Sequence, residues 1–168
     1  MSLCSLHTCA LTLAGAADCW GDDGFDQTGG PADHPGPYTQ IGAGSYHTCG
    51  LTPAGAADCW GRSNVGQTGG AADHPGPYTQ ITLGSYHTCG LTPGGAADCW
   101  GDDAFGQAGG AAEHLGPYTQ LTAGGFHTCG MTLTGAADCW GRDIEGQAGG
   151  AADHPGPYIQ ISAGFNNT

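Results

Sequence analysis

The sequence predicts an all-β fold, a β-propeller built from four 40-residue blades per chain, and three observations lead there. One stretch recurs almost unchanged as His7–Gly21, His47–Gly61, His87–Gly101 and His127–Gly141. Its copies fall every 40 residues without an insertion, which is the signature of a repeat architecture. Each copy holds a turn between two short runs, and no part of the chain has helical periodicity, so small sheets arranged radially are expected. The chain reads as one repeat domain, residues 1–168. Its units lie at about 1–40, 41–80, 81–120 and 121–160, with 161–168 as a closing strand.

The recurring stretch predicts a β-hairpin. Pro53-Ala54-Gly55 combines a fixed backbone angle with a residue that tolerates the left-handed region, as a three-residue loop closed by a bulge requires. If Thr52 faces Ala56, antiparallel counting sets Leu51 against Ala57, Gly50 against Asp58 and Cys49 against Cys59. Opposed β-carbons at a non-hydrogen-bonded position are close enough for a disulfide. The expected pairs are Cys9 with Cys19, Cys49 with Cys59, Cys89 with Cys99 and Cys129 with Cys139. Spacing alone leaves two other readings open. The cysteines could be reduced and packed as small buried hydrophobes. Alternatively, His47, Cys49 and Cys59 could offer three ligands to zinc, although no C-x-x-C knuckle is present.

After each Trp-Gly comes a short stretch in which the copies differ most. Asp22, Asp23 and Phe25 stand in the first unit, Arg62 and Asn64 in the second, Asp102, Asp103 and Phe105 in the third, and Arg142, Asp143 and Glu145 in the fourth. In a repeat protein the framework must match its neighbours while one loop face is free to diversify, so these residues are the candidate binding surface. Drift in an exposed loop would leave the same pattern. A polar connector such as Ala71–Tyr78 then leads through Pro and Gly into the strand Tyr78–Ile81. The last residues, Ile161–Thr168, overlap the first eight in register and resemble the strand that the first unit lacks. Cys4 is the odd cysteine, a free thiol or an intermolecular link.

Composition sets limits. Ile, Leu, Val and Phe make up only 20 of 168 residues and the net charge is −13, which without the repeat would predict disorder. Stacked units escape that outcome because each buries one thin face on its neighbour, and disulfides supply part of the missing stability. With no lysine and only two arginines, the chain offers no groove for nucleic acid. The acidity suits solubility or steering towards a basic partner. No apolar run is long enough to span a membrane, so no membrane partner is expected. No secretory signal is visible at Met1-Ser2-Leu3-Cys4, yet disulfides point to an extracellular or periplasmic setting.

Taken together, His47-Thr48-Cys49-Gly50-Leu51, the segment Gly55–Gly61 ending in Cys-Trp-Gly, and Gly66-Gln67-Thr68-Gly69 resemble the repeat of the regulator of chromosome condensation family. The resemblance covers essentially the whole chain, and its HTC…CWG form is similar to a bacterial, exported branch. It implies a propeller, usually of seven blades, in a family that includes a nucleotide exchange factor, chromatin-binding proteins and propeller-type β-lactamase inhibitors. Exchange activity is not implied, because no inserted wedge is visible. Adjacent blades turn by about 51° in a ring of seven, about 45° in eight and about 90° in four. Two chains forming an eight-bladed homodimer are therefore expected, with a closed four-bladed monomer as the alternative.

The repeated histidines His7, His47, His87 and His127 could tie one blade's backbone to the next or gather as a metal site. His34, His74, His114 and His154 read as parts of solvated turns, and Trp20, Trp60, Trp100 and Trp140 as packing anchors. No catalytic set, cofactor motif or committed metal site is predicted. The expected function is a non-catalytic protein-binding propeller using the variable loops. The competing readings are a multivalent glycan binder using repeat-invariant aromatics such as Trp60 and Tyr78, and a structural unit of a larger surface array.

Overall fold

A computed structural model describes residues 7–29, 33–69, 73–109, 114 and 116–165. Cys4 and the tail residues 166–168 lie outside the described residues. The first blade contributes β1 (His7–Leu11) and β2 (Ala17–Gly21). The second holds β3 (Gln40–Ala43), β4 (His47–Leu51) and β5 (Ala57–Gly61), and the third β6 (Gln80–Leu83), β7 (His87–Leu91) and β8 (Ala97–Gly101). The fourth holds β9 (Tyr118–Ala123), β10 (His127–Thr132) and β11 (Ala137–Gly141). Blades two to four are antiparallel three-stranded sheets with the His-Thr-Cys strand in the middle, whereas β1 and β2 form a two-stranded sheet.

The hairpin follows from its turn. Thr52 N donates to Ala56 O and Gly55 N to Thr52 O, each at 2.9 Å, while Gly55 takes a φ of +82°. That closure puts Leu51 against Ala57 and Cys49 against Cys59, and the other three hairpins share the register. Disulfides join Cys9–Cys19, Cys49–Cys59, Cys89–Cys99 and Cys129–Cys139, across Cα separations of 4.0–4.1 Å. The zinc and reduced-cysteine readings therefore fall away.

A middle strand is covered on both faces. All five residues of β4 and of β7 are buried, where a strand open on one side would alternate. Close approach requires Gly50 in particular: a β-carbon there would lie 2.5 Å from the Tyr38 ring, which crosses the sheet to donate its hydroxyl proton to Asp58. Tyr78 and Tyr118 repeat this over Gly90 and Gly130, donating to Asp98 and Asp138 at 2.5 Å.

Neighbouring blades are joined by polar clips as well as apolar contact. Gln40 Nε2 donates to Ile81 O at 2.7 Å while Gln40 Oε1 accepts from Ile81 N at 2.9 Å, and Gln80 does the same to Leu121. His47 Nε2 lies 2.8 Å from Thr88 Oγ1, which donates onward to Gln67 O. His7 with Thr48 and His87 with Thr128 repeat the contact. These histidines thus reach a threonine side chain, with the backbone one step further, in place of the direct backbone tie or shared metal site considered from the sequence. Burial holds the His47 and His87 imidazoles down at about 3, so both are neutral.

Candidate binding face

The loops after the last three Trp-Gly pairs and the turns before the last three His-Thr-Cys runs meet at one end of the blades. Arg62 N donates to Tyr46 O at 2.9 Å, Asp102 N to Tyr86 O at 2.8 Å and Arg142 N to Phe126 O at 2.9 Å. Each loop is shaped by a buried glutamine. The side-chain oxygens of Gln27, Gln67, Gln107 and Gln147 accept from the backbone N–H of Phe25, Val65, Phe105 and Glu145 at 2.8–3.1 Å. The amides of the first three donate to Asp22, Asn64 and Asp102 at 2.8, 3.3 and 2.5 Å.

Asp23, Asp103 and Asp143 accept from Thr28 N, Ala108 N and Ala148 N, each at 2.9 Å. The hydrogen bonds from Thr28 hold the Asp23 carboxyl below its ordinary range. Much of the acidic set proposed for binding is therefore engaged in holding loop shape. In the sequence the glutamine figured only within the Gly66-Gln67-Thr68-Gly69 motif, with no role given to it, although a glutamine followed two residues later by glycine recurs in every unit.

The differences between units pair them. Arg62 lies 4.8 Å from the centre of the Phe25 ring and within 5.4 and 5.7 Å of Tyr46 and Tyr86. Arg142 sits 5.7 Å from both Phe105 and Phe126. The phenylalanine of an odd unit thus meets the arginine of the following even unit, a cation–π contact between blades. The rings form a continuous row, Phe25–Tyr46–Tyr86–Phe126–Phe165, with centres 5.4–6.3 Å apart and Phe105 branching from Phe126. Beside it is a hollow of about 390 Å³ lined by Ser45, Leu83, Ser85, Gly125 and Phe165. Tyr46, Tyr86 and Phe126 were also missed from sequence. Their signal is an aromatic immediately before each of the last three His-Thr-Cys runs.

Three of the four connector histidines are not solvated turn residues. His34, His74 and His114 stack on Trp60, Trp100 and Trp140 at 4.2–4.4 Å, and their Nδ1 atoms lie 3.2–3.5 Å from Asp58, Asp98 and Asp138. Stacking on a buried ring and facing a carboxylate outweigh the pull of the turn towards water. Trp60 and Tyr78, named for a sugar platform, are both buried, whereas their counterparts Trp20 and Tyr158 in the first and fourth units are exposed. Among the described residues, no group of three His, Cys, Asp or Glu could hold a metal ion.

This blade unit, from the tyrosine over the glycine to the loop glutamine, is what known proteins share with the chain. The regulator of chromosome condensation (RCC1) repeat matches residues 38–67, 78–107 and 118–147. The chain belongs to the RCC1 repeat family. The ectodomain of the receptor kinase CR4 from Physcomitrella patens is 30% identical, covering 95% of this RCC1-repeat chain and 43% of its own, with a TM-score of 0.69. The CRINKLY WD40 ectodomain of the Arabidopsis thaliana receptor kinase ACR4 is 23% identical, with 95% and 53% covered and a TM-score of 0.68. Human WBSCR16 is 18% identical, with 81% and 45% covered and a TM-score of 0.71. The RCC1-repeat chain thus spans about half the length of these structures. No curated protein sequence matches it.

Proposed function

We propose that this RCC1-repeat chain is a non-catalytic protein-binding propeller that works outside the cytosol and presents the loops after each Trp-Gly to its partner. The observation that carries this reading is the aromatic row: three of its rings, Phe25, Phe105 and Phe165, stay exposed at the loop end although the chain is poor in large apolar residues. Asp22, Asp23, Asn64, Asp102, Asp103, Asp143 and Glu145 surround the row with polar groups, as an interface rim does. The net charge of −13 favours a basic partner. Four disulfides suit an oxidising compartment, and the likeness to plant receptor ectodomains supports the same setting. Inhibition of an exported bacterial enzyme is a narrower form of this reading. We also propose that the ring has eight blades supplied by two copies, and that the whole of 1–168 acts as one repeat domain.

The test is capture of extracellular proteins on the immobilised chain, followed by the same capture on Phe25→Ala, Arg62→Ala, Phe105→Ala and Arg142→Ala. A protein partner should be lost unequally among the four variants, because a single partner surface samples each unit differently. Equal retention on all four would overturn the loop assignment. Binding on a glycan array without protein capture would replace it with sugar recognition.

A further inference from the structure

We propose that the open face of the fourth blade is the seat for the first hairpin of a second copy of this chain, whose Trp20 fills the cavity there. It rests on the two-chain ring proposed above and names the contacts that would join it.

The internal junctions give the pattern. Trp60 shares a buried cluster with Ala17 of the preceding blade, Trp100 with Ala57 and Trp140 with Ala97. All three tryptophans are only 4–5% exposed, and the indoles of Trp60 and Trp100 donate to Gln27 O and Gln67 O at 3.0 and 3.1 Å. The fourth cluster, with Cys129, Ala137, Cys139 and Ile161 as its buried members, contains no tryptophan. In its place is a cavity of about 460 Å³ bordered by Ala137, Gln147, His154, Tyr158 and Ile161. Trp20, meanwhile, is 53% exposed.

The two ends also complement each other as a sheet. Gln120 Nε2 donates to Ile161 O at 2.9 Å, Ile161 N to Gln120 Oε1 at 3.2 Å and Ala163 N to Thr122 Oγ1 at 3.0 Å. The same clip holds Ile81 to Gln40 and Leu121 to Gln80, so residues 158–163 stand where the inner strand of a following blade stands. Among the described residues this segment pairs with no hairpin and the β1–β2 hairpin pairs with no inner strand. Tyr158 is accordingly 44% exposed, against 4% for Tyr38, Tyr78 and Tyr118. Carrying over the register of β3 on β4 sets Gln160 against Leu11, Ile161 against Ala10 and Ala163 against Thr8. It also brings the Tyr158 hydroxyl to Asp18 and His154 onto Trp20.

A second copy fits better than closure within one chain. Four blades would need about 90° between neighbours, whereas this arc overlays on chains about twice its length. Two copies satisfy both ends of each other. The fit is less tight than inside the chain, because Ala10 stands where glycine lets Tyr38, Tyr78 and Tyr118 pass, and its methyl holds Tyr158 away. The connector of the fourth unit also lies back on β11, with Ala137 N donating to His154 O at 2.9 Å and Cys139 N to Gly149 O at 2.8 Å. Docking exchanges these bonds for the new blade.

Light scattering on the full chain across a concentration series tests the proposal. The expected mass is twice 16.7 kDa, with association weakened on the order of 100-fold in Trp20→Ala and tightened in Ala10→Gly. Tyr158→Ala should also give single chains, and mixing it with Trp20→Ala should restore a two-chain species, because one junction of the pair is then intact. Trp20 and Tyr158 are both exposed in the single chain, so neither variant removes a core residue; a thermal melt confirms that each is folded. A mass of 16.7 kDa at every concentration overturns the seat. Larger assemblies dissolved by Trp20→Ala would support the seat and overturn only the ring of two.

Discussion

Strands β1 and β4 differ at one residue, Ala10 for Gly50, yet they behave as different objects. All of β4 is buried, whereas in β1 the exposed positions Thr8 and Ala10 alternate with covered ones. Burial here is a property of the neighbour rather than of the residue. β4 has a blade against each face and an inner strand at its edge, while among the described residues β1 pairs with β2 alone and has a blade on one side. The stability of a unit in such a chain is therefore largely an interface quantity.

Removing the cross-links should have the largest effect, because it takes away what β1 and β4 share. On the chain-entropy model each short disulfide loop contributes roughly 2.5–3 kcal/mol, and four together rival the stability of an ordinary domain. Reductant should abolish cooperative thermal unfolding; a melt unchanged by it would show that packing alone carries the fold.

Acid should come next and separate the strands. The His47 and His87 imidazoles titrate at about 3 in the fold, against 6.5 when free. Their contribution is therefore complete above about pH 6.5. It falls as pH drops towards 3, since the unfolded chain takes up protons that the fold excludes. His7 in β1 is lowered by burial too, but Asp22 and Asp23 pull it upward. Denaturant midpoints between pH 7 and 4 should flatten more for His47→Gln than for His7→Gln, and equal slopes would erase the contrast.

Gly90→Ala in β7, the third-blade counterpart of β4, is a smaller perturbation, expected to cost about 1–3 kcal/mol through overpacking on Tyr78. Its counterpart in β1 is already alanine, so Ala10→Gly should change the chemical stability of the single chain by under about 1 kcal/mol. A contrast of similar size is Thr88→Val against Thr8→Val. The first breaks the His47–Thr88–Gln67 link and should cost about 1–3 kcal/mol. The second, at an exposed position, should stay within about 0.5 kcal/mol in the Trp20→Ala background.

The cysteine pairing was legible in the sequence because it is local: one turn and a two-residue period fix the register of the whole hairpin. The blade junctions were not, since Gln40 meets Ile81 and His47 meets Thr88 only once the rotation between sheets is set. Three of the connector histidines were misread for the same reason, as the tryptophan on which each stacks lies 26 residues further along the chain. The differences among the variable loops were read unit by unit in the sequence. The alternation of Phe25 and Phe105 with Arg62 and Arg142 acquires its meaning only when consecutive loops touch.

That pairing bears on how such a gene can grow. The inter-blade clips join residues 41 positions apart, so a unit copied in tandem would meet its neighbour through the clips already in use. The loops impose a longer step. Copying one unit would either set two arginine loops side by side or leave a phenylalanine without its cation, whereas copying two keeps every Phe–Arg couple. Lineages descending from this sequence by duplication should therefore lengthen most readily in blocks of about 80 residues, each carrying its own couple.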